Sequence, residues 1–122
     1  MTNLLDTGVK GILEQFSGQA PQKVLSAISA ASEKTGIDFS YLVQQAKAES
    51  SFDASAKAKT SSASGLYQFI KSTWMDMIER HGDKYGIDTK SMSKSELLDL
   101  RFDPDMASNM AGEFAAENKD FL

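Results

Sequence analysis

The sequence predicts an all-α domain, and three observations lead there. Apolar residues recur at helical spacing along most of the chain. No stretch of useful length alternates apolar with polar residues as a half-buried strand does. Capping and helix-stopping residues punctuate the pattern at helix-sized intervals. No internal repeat is visible. A chain of 122 residues holds one domain with a modest core, and 41 % apolar and 25 % charged residues argue against chain-wide disorder.

Leu5, Val9, Ile12, Leu13 and Phe16 predict a helical N-terminal extension over residues 1–20, closed by Ser17, Gly18 and the Pro21 region. A second helix starts near Pro21, a residue suited to a first turn, and Val24, Leu25, Ile28 and Ala31 form its inner face. Gly36 is its natural stop. Asp38 reads as the N-cap of a third helix with Phe39, Leu42, Val43 and Ala46 on its apolar face, ending near Ser50 or Ser51. Residues 51–64, rich in Ser, Ala and Lys, read as a loop able to shape the edge of a cleft. Order resumes at Gly65. Ile70, Trp74, Met77, Ile78 and His81 then follow helical spacing up to Gly82. Ser93 and Glu96 have capping-box spacing ahead of Leu97, Leu98 and Leu100. Asp103 caps a last helix with Pro104 in its first turn and Met106, Met110, Phe114 and Ala115 on its buried side.

Composition excludes several classes of function. A formal net charge of -4, with basic residues scattered apart from Lys57 and Lys59, argues against a nucleic-acid partner and against an anionic membrane surface. The absence of cysteine removes disulfides and thiolate metal sites, and His81, the single histidine, makes a histidine-based zinc site unexpected. No metal and no organic cofactor is expected. No apolar run reaches the roughly 18 residues that a membrane span needs. The N-terminus shows no basic region followed by an apolar stretch, so either export takes another route or the sequence begins after a signal.

Glu49 is the informative position. At 100° per residue it falls at the edge of the stripe formed by Phe39, Leu42, Val43 and Ala46, and in the last turn of its helix. The negative end of the helix dipole and partial desolvation both disfavour a carboxylate there, favouring the protonated form that a general acid needs. A helix-end glutamate that turns to solvent is the alternative, and spacing alone does not decide between them.

The run Ala46-Lys47-Ala48-Glu49-Ser50-Ser51-Phe52-Asp53 resembles the first motif of the soluble-lytic-transglycosylase (SLT) catalytic domain, a helix ending in Glu-Ser followed by Phe. Gly65-Leu66-Tyr67-Gln68-Phe69-Ile70, then Thr73-Trp74, resembles the second motif, in which Gly-Leu-Met-Gln is followed by Thr and Trp. Both motifs in order, with an Ala/Ser-rich loop between them, are fairly specific, and the resemblance covers about residues 24–118. It implies a lysozyme-like, mostly helical fold, with residues 1–122 as a single domain, 1–20 as its extension and 21–122 as the part resembling the catalytic domain.

The resemblance also implies an activity. Members of the family cleave the β-1,4 bond between N-acetylmuramic acid and N-acetylglucosamine in peptidoglycan without water, leaving a 1,6-anhydro end. Glu49 would protonate the glycosidic oxygen, the substrate's N-acetyl group would stabilise the cation, and Glu49 would then take the proton of the attacking 6-hydroxyl. One carboxylate suffices, whereas hydrolytic glycosidases use two. By the same resemblance Ser50 orients the substrate, Gly65 lets backbone approach the glycan, Gln68 hydrogen-bonds the sugar or its N-acetyl group, and Tyr67, in place of the usual Met, lines the groove. Each has a bland alternative: a polar helix-end residue for Ser50, a turn glycine for Gly65, loop satisfaction for Gln68. Phe69, Ile70 and Trp74 are expected in the core, Asp53 in a turn and His81 at a helix end. The implied location is periplasmic or cell-envelope. The implied partners are peptidoglycan glycan strands and, beyond them, cell-envelope machinery.

The third family motif, Ala-Tyr-Asn, is absent. Tyr85 lies too early and lacks the following Asn, and Phe114-Ala115-Ala116-Glu117-Asn118 has no Tyr. The expectation is therefore a domain lacking the C-terminal part of the family fold. The sequence stops short of that element, or a neighbouring molecule completes the cleft, or the domain binds glycan weakly and cuts poorly. The competing functions are a non-catalytic wall-binding or assembly module of the same fold, a hydrolytic muramidase, and a helical interaction domain unrelated to glycan.

Overall fold

The computed structural model describes residues 20–120, together with Gly11 and Gly18. The helix expected from Leu5, Val9, Ile12, Leu13 and Phe16 lies outside the described residues. Within them the chain forms five α-helices and no strand: α1 (Gln22–Thr35), α2 (Phe39–Ser50), α3 (Lys71–His81), α4 (Lys94–Asp99) and α5 (Pro104–Asp120). Two 3₁₀ turns, Gly82–Tyr85 and Leu100–Phe102, follow α3 and α4. None of the described helices is long and apolar enough to cross a membrane.

Local chemistry sets the boundaries. Pro21 stands just outside α1 in extended conformation, one residue earlier than a first-turn proline, and its carbonyl receives the Val24 and Leu25 amides. Gly36, in the left-handed region at φ 76°, ends α1 by donating its N–H to Ser32 O. Asp38 caps α2 by accepting the Tyr41 N–H at 3.2 Å. The capping box of α4 is present in both directions, Ser93 Oγ accepting from the Glu96 amide and Glu96 Oε1 from the Ser93 amide. Asp103 Oδ1 accepts the Asp105 N–H ahead of α5. Gly82 does not end the coiling after α3, because the backbone tightens into the 3₁₀ turn and stops at Gly86.

The apolar stripes meet in one core. Leu25, Ile28, Leu42, Val43, Trp74, Met77, Ile78 and Met110 are fully buried in it, as is Leu66 from the loop. Trp74 packs edge-on to Phe69 at 5.2 Å and donates its indole N–H to Leu97 O at 2.8 Å, tying α3 to α4. Helix α5 lies chiefly against α1. At Gly112 a Cβ would stand 2.6 Å from Thr35 Oγ1, so bare backbone sets how closely the two helices approach. Gly112→Ala gains about 1 kcal/mol of helix propensity but overpacks by about 1–3 kcal/mol. We expect lower stability in urea unfolding, partly recovered by adding Thr35→Ala, which removes the two closest atoms.

Charge pairs fasten the end of α3 to α5. Arg80 bonds Glu117 at 2.9 Å and His81 Nε2 meets Glu117 Oε2 at 2.5 Å. Lys84 bonds Glu113 at 2.7 Å, and the Tyr85 hydroxyl donates to the same carboxylate at 2.5 Å. Burial pushes the Glu113 carboxyl upward, but its bonds from Lys84 and Tyr85, with the charges of Lys84 and His81, hold it below its ordinary value of 4.5. Hydrogen bonding by His81, opposed by burial and reinforced by Arg80, holds Glu117 below that value too. Carboxyls depressed in the folded state stabilise it at pH above the ordinary value, and that contribution is lost as pH falls through the depressed one. The melting temperature is accordingly expected to fall on acidification below about pH 4.5. Glu113→Gln should flatten that dependence in a pH series of thermal melts.

Candidate active site

Helix α2 delivers Glu49 to its position. The helix ends through two successive left-handed residues, Ser51 at φ 52° and Phe52 at φ 66°. Such a conformation costs a non-glycine residue about 1–2 kcal/mol. Burial of the Phe52 side chain, 3 % exposed, offsets that cost and turns the chain into the loop. The Ser51 amide bonds Lys47 O at 2.9 Å. Asp53 then accepts from both the amide and hydroxyl of Ser55, which lowers its carboxyl pKa, so it is the expected turn residue and does not line the cavity.

The loop returns to α2 and builds the opposite wall. Ser50 Oγ donates to Leu66 O at 2.7 Å across sixteen positions. The Tyr67 hydroxyl donates to Leu42 O at 2.8 Å, and burial pushes this phenol well above its ordinary range, with Ser108 acting in the opposite direction. Gln68 sits in the left-handed region at φ 54°, and its Nε2 donates to Gly65 O at 2.8 Å and Ala56 O at 3.2 Å. Residue 101 holds the loop from beneath. Arg101, 6 % exposed, bonds Ser62 O at 2.7 Å and Phe69 O at 3.1 Å through one nitrogen, and its backbone lies against Gly65.

Between these walls is a cavity of about 210 Å³ lined by Gln45, Glu49, Tyr67, Gln68, Phe69, Ile70, Thr73, Ala111 and Phe114. Of the five sequence-predicted site residues, the structure brings Glu49, Tyr67 and Gln68 together on it. Tyr67 offers its ring, since its hydroxyl is committed to α2. Gln68 lines the cavity with its Nε2 committed to the loop. Ser50 and Gly65 are not on the cavity wall. Ser50 joins α2 to the loop, and the close approach that Gly65 permits is that of Arg101 backbone.

Two expectations are corrected. Glu49 is exposed and not half-buried at the stripe edge; the helix end stands at the rim of an open cavity. Ile70 is 43 % exposed, not core. Its spacing to Trp74 suits a helix, but α3 begins one residue later and Ile70 is its N-cap in extended conformation, which turns the side chain to the cavity lip. Phe69 and Trp74 are buried as expected. His81 is the last residue of α3, and Tyr85, bonded to Glu113, is not on the cavity wall.

Sequence reading missed Gln45. It lies one turn before Glu49 on the same face, a relation that i, i+4 spacing could have signalled. Its Oε1 is buried with no hydrogen-bond partner. Leaving such an acceptor unpaired costs about 1–3 kcal/mol. Among the described residues lining the cavity, Glu49 is the one carboxylate.

An all-helical domain with an acidic helix end facing a glutamine-bearing loop defines the class. Residues 26–119 match the transglycosylase SLT domain, and the protein belongs to that family. Family membership agrees with the resemblance carried by the Glu49 and Gln68 segments, and it implies a lytic transglycosylase acting on peptidoglycan.

Proposed function

We propose that the protein cleaves the β-1,4 bond between N-acetylmuramic acid and N-acetylglucosamine without water, leaving 1,6-anhydro-muramic ends. The observation that carries this is Glu49, the one carboxylate among the described residues lining a cavity whose facing loop contributes Gln68. Two-carboxylate glycosidases set the second acid about 5–9.5 Å from the first, to act as a nucleophile or to activate water. One carboxylate among the described lining residues suits a reaction whose nucleophile is the substrate's own 6-hydroxyl. Glu49 gives its proton to the leaving oxygen as the anomeric C–O bond breaks. The acetamido oxygen of the same sugar stabilises the cation. Glu49 then accepts the proton of the 6-hydroxyl as its oxygen bonds the anomeric carbon, which restores the acid. Contact with the glycan covers this exposed side chain and excludes water from it.

Ser50 and Gly65 serve this reaction by fixing the helix end and the loop, Gln68 by hydrogen-bonding the sugar, and Tyr67 by walling the groove. The working location is the cell envelope or periplasm, for wall remodelling or for opening a gap for an envelope-spanning machine. The exposure of Glu49 favours one rival, a wall-binding module with little turnover. Incubation with purified peptidoglycan and mass analysis of released fragments separates the readings. Anhydro-muropeptides support the lyase, reducing-end products indicate hydrolysis, and retention on the wall without release indicates the binding module.

A further inference from the structure

The cavity is smaller than the roughly 300–1,000 Å³ of an ordinary small-molecule pocket. At about 210 Å³ it takes one substituent of a sugar while the rest of a strand lies across the open rim. Its lining residues are of two kinds: Gln45 and Gln68 carry amides, and Ala111 and Phe114 of α5 are apolar. An acetamido group has matching parts: an N–H that donates, a carbonyl that accepts and a methyl that prefers apolar contact. A hydroxyl in the same place has no methyl and leaves the apolar wall unfilled.

Gln45 carries the second observation. Its Oε1 is enclosed and unpaired in the free protein, although buried acceptors are nearly always bonded. The terminal torsion of a glutamine is broad, so a turn of the amide brings that acceptor to a ligand at little cost. We infer that Gln45 is a specificity-determining residue whose Oε1 accepts the acetamido N–H of a β-1,4-linked N-acetylhexosamine, with the methyl on Ala111 and Phe114. This rests on the Glu49 cavity being the glycan site.

The test compares two neutral ligands of the same linkage and length, a β-1,4 hexamer of N-acetylglucosamine and a β-1,4 hexamer of glucose, titrated into the protein by NMR. The parent is expected to favour the acetamido hexamer by about tenfold or more, the scale of one hydrogen bond plus one buried methyl. Gln45→Met, close in size and without the amide, should lose most of that preference. It should also melt at the same temperature or higher, because it removes an unpaired polar atom. A purely structural glutamine would behave the opposite way, with lower stability and unchanged preference.

Full discrimination retained by Gln45→Met would sink the assignment of Gln45 alone. A parent that fails to discriminate, or binds neither hexamer, overturns the inference outright. Whether the parent releases anhydro-muropeptides then decides separately if the Glu49 reading survives.

Discussion

Glu49→Gln is expected to abolish release of anhydro-muropeptides from purified peptidoglycan while leaving the fold intact. The amide keeps the size of the side chain and removes its titratable proton. General acid–base catalysis contributes about 10²–10⁴-fold, and here one group serves both proton transfers, so the loss should lie at the upper end of that range. Glu49 is exposed, and among the described residues it carries no ion pair, so the melting temperature should stay within a degree or two, as for surface substitutions of about ±0.5 kcal/mol. Mass analysis and a thermal melt of the same sample check both halves. A variant that still releases anhydro products at the parent rate shows that the acid lies elsewhere.

Gly65→Ala is expected to be the most damaging single change in the loop, and to act through the fold. A Cβ at this position would stand 2.0 Å from the Arg101 carbonyl oxygen and 2.9 Å from its carbon, with φ at +83°. The obstructing atoms are backbone, so no rotamer change relieves the clash. Left-handed geometry adds about 1–2 kcal/mol for a residue with a Cβ. The total should exceed about 4 kcal/mol, a large part of the 5–15 kcal/mol by which domains of this kind are stable. Denaturant unfolding should show a sharply lowered midpoint, and wall binding should fall with it. An alanine variant within about 0.5 kcal/mol of the parent would contradict this account.

Much of the fold was legible because its signals are local. The Asp38 cap, the Ser93–Glu96 box, the Gly36 stop and the stripes of α1 and α2 each lie within a few residues of what they determine. The candidate site was legible in part, since two short motifs carry Glu49, Tyr67 and Gln68. Most of what was hidden depends on contacts between distant residues. Nothing near Arg101 in sequence announces that its guanidinium supports carbonyls 39 and 32 positions earlier. Likewise, the role of Gly65 follows from the placement of residue 101, and that of Gly112 from the placement of Thr35. Ile70 was misread because spacing does not reveal that a helix starts one residue later, and a cap residue points away from its helix's inner face.

The Arg101 anchor has a consequence for how the molecule is made. As a nascent chain emerges N-terminus first, the loop carrying Gln68 can meet α2 through Leu66 and Tyr67, but it lacks the Arg101 bonds to Ser62 O and Phe69 O until residue 101 arrives. The loop wall of the groove is therefore expected to reach its final order only after residue 101 has emerged. A ribosome-stalled chain exposing residues only as far as Asp99 should show protease cutting within 51–64, and one exposing α5 should resist it.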